Sequence, residues 1–234
     1  NKSYSYKLEL LTDTLPASGN SSQQIIDADV MTDQYGLPLI PAKRIKGVLR
    51  EAALEVLEAF QYDSRLEILF LEIFGEAGKT ANSGYHFSDL TLTESENLKQ
   101  WLKYLQSPML KDDSAADSRK VKPNPLQGFF TPEIITEQFT QVRRSTRLEN
   151  GLAAKHSLRT IRVLEKGLFF EGTINSSDSE LDEERIQFLN LVMNNLRFLG
   201  SKRNRGLGMV KVHREIHQEK LRQFIKKLDG GAAR

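Results

Sequence analysis

Three carboxylates crowd one polar stretch, Asp27, Asp29 and Asp33, at i, i+2 and i+6. Carboxylates beside a phosphodiester can hold Mg²⁺ or activate a hydroxyl. The same residues also cap turns in ordinary loops. Alternation along an extended chain puts Asp27 and Asp29 on one side, which does not oblige them to act together. A second cluster lies near the other end. Gly200-Ser-Lys-Arg-Asn-Arg205-Gly-Leu-Gly208 packs three cations and three glycines into nine residues. Glycine permits positive φ and close backbone approach. Lys and Arg around a bare backbone suit phosphate. Lys202, Arg203 and Arg205 are therefore a candidate grip on an RNA or DNA backbone, with a solvated charged turn as the plain alternative.

Cations also crowd two other stretches. Lys43, Arg44, Lys46 and Arg50 fill the first turns of a helical pattern, where the macrodipole disfavours positive charge. A position that accepts that penalty can serve an anionic partner. Between Arg143 and Lys166 there are seven Lys/Arg, including Arg143, Arg144, Arg147, Lys155 and Arg159, against two acids. From Glu171 to Glu184 there are six acids and no base. Segregation of this kind makes a one-sided field, although a charge run is usually a solvated face. The net charge of +2 argues for nothing by itself.

The remaining motifs carry less. Gly75-Glu-Ala-Gly78-Lys79-Thr80 resembles the tail of a P-loop, but Ile73 stands where glycine is needed and a helix precedes it. His213 and His217 are four apart but straddle a strand-to-helix boundary, so a metal site is not expected. His156 sits within the basic segment and reads as a surface residue.

The elements that must hold these groups follow from periodicity. Tyr4–Leu11 alternates as a half-buried strand. Residues 12–24 read as a flexible loop, and Leu37–Pro41 as an extended piece fixed by two prolines. Ala42–Tyr62 repeats apolar residues at helical spacing, and Leu66–Phe74 is a second helix ending at Gly75. Tyr85–Thr93 alternates weakly, and Thr93-x-x-Glu96 predicts a capping box for a helix to Gln106. Residues 107–140 read as an irregular insertion rich in proline, with a basic patch at Arg119, Lys120 and Lys122. Then come a strand at 167–175, a helix at 181–199, a strand at 208–216 and a helix at 218–228. This order predicts one α+β domain over 1–234, an antiparallel sheet with helices on one face, of the ferredoxin-like or RRM-like type.

Composition bounds the class. With 234 residues, 39% hydrophobic and 27% charged, the chain suits one domain with a real core. The absence of cysteine excludes disulfides and thiolate metal sites. No apolar run approaches the roughly 18–20 residues of a membrane span. No signal peptide is visible, so the cytoplasm is expected and the sequons at Asn20 and Asn175 are read as chance.

Three segments together resemble the RAMP superfamily. Asp27-Ala-Asp-Val-Met-Thr-Asp33, followed by Leu37-Pro-Leu-Ile-Pro41-Ala-Lys-Arg-Ile-Lys46-Gly47-Val-Leu-Arg50, is similar to its acidic loop and proline-flanked strand leading into a K-G-x-x-R helix. Ile73-Phe-Gly75 with Phe87-Ser-Asp-Leu90 is the second segment, and the loop 200–208 the third. Arg147 through Arg159, continuing to Thr173, is similar to the thumb hairpin and following strand of type III CRISPR backbone subunits. The resemblance spans most of residues 4–214. It implies a modified RRM palm with a thumb at about 143–164, which polymerises on CRISPR RNA beside other subunits. It also implies Mg²⁺-dependent endonuclease cleavage of paired target RNA by a loop aspartate. Counting back from Pro38 and Pro41 puts Asp27 at that position, with Asp29 as second choice. Lys43, Arg44, Lys46, Gly47, Arg143, Arg144, Arg147, Lys202, Arg203 and Arg205 are the candidate RNA contacts. An apolar thumb tip, from Leu148, Leu152, Ala153 or Leu158, could wedge between bases. Lys43 and Arg44 depart from the small residues usual after the second proline.

Two other readings stay open: a non-catalytic RNA-binding or capping subunit on the same scaffold, and a stand-alone CRISPR RNA processing endonuclease. The latter often uses an early histidine, and the first here is His86.

Overall fold

The computed structural model describes residues 3–16, 26–76, 84–111, 121–146, 148–149, 152–153, 157–177 and 181–229. The alternation of Tyr4, Tyr6, Leu8 and Leu10 puts one face of β1 (Ser3–Leu10) against the core and leaves Ser5 and Lys7 outward. After the acidic loop come β2 (Met31–Thr32) and β3 (Pro38–Ile40), then α1 (Ala42–Ala59) and α2 (Ser64–Phe74). Two short strands follow, β4 (Tyr85–Phe87) and β5 (Leu90–Leu92), where the sequence suggests one. Next are α3 (Ser95–Leu105), a hairpin of β6 (Met109–Lys111) and β7 (Val121–Pro123), and α4 (Pro132–Glu137). The basic segment forms β8 (Thr140–Ser145) and β11 (Arg159–Leu164), with the short pair β9 (Leu148–Glu149) and β10 (Leu152–Ala153) between them. The chain closes with β12 (Phe169–Ser176), α5 (Glu183–Asn195), β13 (Val210–His213) and α6 (Gln218–Asp229).

Seven strands make one sheet in the order β13-β1-β12-β5-β3-β2, with β4 also on β12. Its strand pairings are antiparallel. The last strand flanks the first, as in a split βαβ layout. α1, α2 and α5 cover the face that carries Tyr4, Leu8, Phe170 and Ile174, and Phe188, Leu189 and Val192 of α5 are fully buried there. Tyr4 Oη donates to Asn190 Oδ1 at 2.8 Å, so this polar tip deep in the core is satisfied. Among the described residues no helix is long and apolar enough to cross a membrane.

Two expectations need correction. The capping box does not form, because the Thr93 N–H donates to the Phe169 carbonyl at 2.9 Å and extends the sheet. Glu94 then starts α3 in the left-handed region, without a side-chain cap. The described residues of 107–140 are also not irregular. Asn124 Nδ2 donates to the carbonyls of Tyr104, Leu105 and Ser107 at 3.2, 2.9 and 2.8 Å, satisfying orphan acceptors at the end of α3. Thr131 caps α4, and Thr136 Oγ1 ties α4 to Gly36 O at 3.1 Å. Arg119 and Lys120 lie outside the described residues, as does the side chain of Lys122.

Candidate nucleic-acid interface

Beside the large core sits a second one of four buried residues, Leu15, Ile161, Val163 and Leu207, with Ala28 packed on it. They come from three separate segments, and Ala28 from a fourth, and these segments carry the polar groups of interest. Leu15 follows β1, Ala28 lies in the acidic loop, Ile161 and Val163 are in β11, and Leu207 is in the basic loop. These few apolar side chains therefore bring together three sequence-distant candidates.

The acidic loop is sewn to β11. Asp27 N–H donates to Thr160 O at 2.8 Å, and Arg162 N–H donates to Ala28 O at 2.9 Å. Thr160 N–H in turn donates to Asp27 Oδ2 at 2.6 Å, leaving the rest of an exposed carboxylate open. Asp29 differs. It is 7% exposed, accepts from Val30 N–H at 2.8 Å and pairs with Arg162 at 3.3 Å. Asp33 accepts from the N–H groups of Tyr35 and Leu37, at 2.9 and 3.0 Å, and organises a turn. Of the three acids, Asp27 alone presents a carboxylate outward. Among the described residues no group of three His, Asp or Glu could hold a metal ion.

The basic loop folds back on the segment after β1. Gly200 has φ +87°, and a Cβ there would lie 2.1 Å from Leu15 O. Ser201 N–H donates to that same carbonyl at 3.0 Å, and Gly208 N–H donates to Asp13 O at 2.9 Å. Lys202 is half-buried with φ +61° and opens a 3₁₀ turn over Arg203–Arg205. Burial, then Arg205 and Arg159, hold its ammonium below the usual lysine range, while Asp27 pulls the other way. Lys202 thus lies in the fields of both Asp27 and Arg159. Arg205 is exposed, whereas Arg203 is engaged by Glu51 of α1 at 2.8 Å and by Gly200 O at 3.2 Å.

On α1, Arg44, Gly47 and Glu51 share one stripe by helical spacing, so its exposed basic turn leads toward Arg203. Lys43 and Arg44 are exposed, and an added Cβ on Gly47 would meet open space. Asp89 Oδ1 accepts from Ala42 N–H at 2.7 Å, and this carboxylate offsets the dipole penalty of the flanking cations. Lys46 instead lies 5.4 Å over the Phe87 ring, and burial, then Arg50, lowers its pKa. Arg50 donates to Gly75 O at 2.8 Å and covers Phe70. The P-loop-like residues Gly78–Thr80 lie outside the described residues.

In the hairpin, Gln141–Ser145 of β8 are all exposed, while β11 buries Thr160, Ile161, Val163 and Leu164. Only the β8 strand stands free; β11 belongs to the two cores. Arg143 pairs with Asp13, whose Oδ1 also accepts from Lys166 N–H at 3.0 Å. Arg144 lines a groove of about 530 Å³ with Thr32, Glu133, Thr160 and Arg162. Arg147, Lys155 and His156 lie outside the described residues, as do the side chains of Leu148, Leu152 and Ala153; Leu158 is exposed. Sequence reasoning missed Asp13, Glu51, Asp89 and Thr160 as organisers, because each acts on a residue far along the chain.

A family model, the RAMP superfamily, matches residues 7–211. No curated protein matches the chain. Among solved structures, a chain of the type III-B Cmr-beta complex bound to cognate target RNA is similar, with TM-score 0.60 and 16% identity over 90% of this chain and 96% of that one. A chain of the apo state of Cmr-beta gives 0.61 and 15%, with the same coverage. At this identity the likeness is one of fold.

Proposed function

The chain belongs to the RAMP superfamily, and on that premise we propose that it is an RNA-binding backbone subunit of a type III CRISPR effector complex. In this reading it binds CRISPR RNA beside other subunits, and Asp27 supports cleavage of the paired target RNA. One observation carries the reading: the small core packs the acidic loop, β11 and the basic loop together, and the exposed Asp27 carboxylate accepts from Thr160 N–H next to Arg159. A phosphodiester needs that mixture, with positive charge to neutralise it and a base to activate an attacking oxygen. Lys43, Arg44, Arg144, Lys202 and Arg205 are exposed or half-buried and supply backbone contacts without base information. Lys46, Arg143 and Arg203 are turned onto protein partners and brace those contacts.

Mg²⁺ stays part of the proposal with Asp27 and RNA phosphate oxygens as its ligands. The protein's own donor set fits the ion poorly: one open carboxylate with cations at its side and Asp29 committed to Arg162. The same lone carboxylate favours a second reading, a purely binding subunit. The test is cleavage of a matched target RNA by the assembled complex, with and without Mg²⁺, comparing wild type and Asp27→Ala. Loss of the cut at this subunit with guide RNA still bound supports the nuclease. An undiminished cut removes Asp27 from that role and turns attention to Asp29. The cysteine-free composition favours the cytoplasm as the setting of this activity.

A further inference from the structure

We propose that the free edge of β1 at Ser3–Tyr6 is a docking slot for an extended, lysine- or arginine-bearing segment of a partner polypeptide, which adds to the sheet as a further strand. This does not depend on the nuclease reading, because none of the candidate RNA contacts lines the slot. β12 pairs with β1 as far as Ser3, whereas β13 ends at His213, opposite Lys7. Residues Arg214–His217 form no strand and lead into α6, so Ser3–Tyr6 has a strand on one side only. In an antiparallel ladder, successive residues turn their backbone groups to opposite neighbours. Leu10 N–H goes to Leu168 O, on the β12 side, and Leu11 N–H to Met209 O, on the β13 side. The odd residues therefore serve the β13 side, and the N–H and C=O of Ser3 and Ser5 turn to the vacant slot. There the Arg214 guanidinium donates to Ser5 O, and the Ser5 N–H has no partner among the described residues.

A groove of about 950 Å³ lies along this edge, with Ser5, Tyr6 and Arg214 in its lining. Tyr6 is only 4% exposed, and its Oη, like Arg214 Nε, is buried without a partner among the described residues. Buried polar groups are normally paired, so this wall is unfinished as it stands. The charge of the occupant follows from the lining. Four carboxylates, Asp89, Glu171, Glu183 and Glu215, stand against three cations, Lys7, Arg214 and Lys220, with the two histidines neutral. Lys220 is taken by Glu183 at 2.9 Å, and Arg214 by Ser5 O, with its guanidinium 3.6 Å over the Tyr4 ring. Lys7 stands opposite Glu171 in the ladder. The surplus is acid, which repels RNA phosphate and favours a basic peptide. An added strand supplies what the edge lacks: an acceptor for the Ser5 N–H, and a backbone donor in place of Arg214.

Amide hydrogen exchange on the full chain tests this with three probes: the peptide Lys-Val-Lys-Val-Lys-Val, its counterpart with Glu for Lys, and an oligouridine RNA. With the basic peptide at about ten times its Kd, exchange of the Ser5 N–H should slow about tenfold. The Tyr6 N–H, which already serves β12, should change little. The acidic peptide and the RNA should leave Ser5 unprotected. Ser5→Pro removes the outward N–H, a change that edge strands tolerate, and should weaken the basic peptide about tenfold at an unmoved unfolding midpoint. Glu215→Lys should weaken it about two- to fivefold, and Arg214→Ala, which vacates Ser5 O, should not weaken it. Should Ser5→Pro fail to fold, the wild-type Ser5 exchange and Glu215→Lys still decide. Unslowed Ser5 exchange, no peptide binding up to about millimolar, or a Ser5→Pro chain that binds like wild type overturns the docking slot. Equal protection of Ser5 by the acidic peptide or by the RNA overturns the basic partner.

Discussion

The two cores divide the labour. The large one buries Tyr4, Leu8, Phe170 and Phe188 between sheet and helices. The small one has Leu15, Ile161, Val163 and Leu207 and holds no regular layer together. Its product is a juxtaposition of Asp27, Arg159 and the basic loop. The difference teaches that fold stability and site geometry are separable here: one cluster keeps the chain folded, and the other decides what meets at the surface.

That separation can be broken by mutation. The largest effect is expected for Phe188→Ala, about 3–5 kcal/mol by denaturant titration, with RNA binding and cleavage falling together. If Phe188→Ala left the midpoint unmoved, the large core would not be the seat of stability. Breaking the Asp29–Arg162 pair by Asp29→Ala should cost less, about 1–3 kcal/mol, because Arg162 keeps partial access to water. Val163→Ala should cost about 2 kcal/mol, and hydrogen exchange should quicken first at Asp27, Ala28 and Thr160. Quickening spread evenly over β1 and β12 would merge the two cores into one.

Glycines give a finer contrast within the site. Gly200→Ala meets Leu15 O at 2.1 Å on top of a positive φ, whereas Gly206→Ala has open space and only the φ penalty. The second should cost about 1–2 kcal/mol and the first clearly more, read by thermal unfolding. The smallest stability effect is expected for Lys202→Ala with Arg205→Ala, within about 0.5 kcal/mol. Its signature is elsewhere: the log K against log salt slope for single-stranded guide should flatten by about 0.7 for each lost contact. An unchanged slope would mean that the loop does not touch RNA.

How much of this was legible follows the range of each interaction. The alternation of β1, the apolar periods of α1 and α2 and the stop at Gly75 are local, and the sequence displays them. Asp27 and Lys202 were both visible as candidates. Their meeting was not, since it depends on Leu15, Ile161 and Leu207 finding one another across the chain. The cations of α1 looked like an unrelieved dipole penalty, because their relief comes from Asp89, 47 residues away from Ala42. Thr93 misled for the same reason: a local capping pattern lost its N–H to a strand partner, Phe169. Asp29 and Asp27 are alike in sequence context, and only the position of Arg162 separates a structural acid from an open one. In 107–140 the prolines were read as breaks, yet Pro132 starts a helix, as proline can at a first helical position.

The clasp between the segment after β1 and the basic loop has a consequence for how the protein is made. Met209 N–H donates to Thr12 Oγ1 across 197 positions of chain. Ribosomes deliver the N-terminus first, at about 5–20 residues per second, so Thr12 waits roughly 10–40 s for its partner. For much of that interval Asp27 is already synthesised while the basic loop is not. Without the loop from Gly200 to Gly208 it has no Lys202 at its side. An unfinished chain therefore carries the acid without its companion, and the messenger is read to completion before the pair exists.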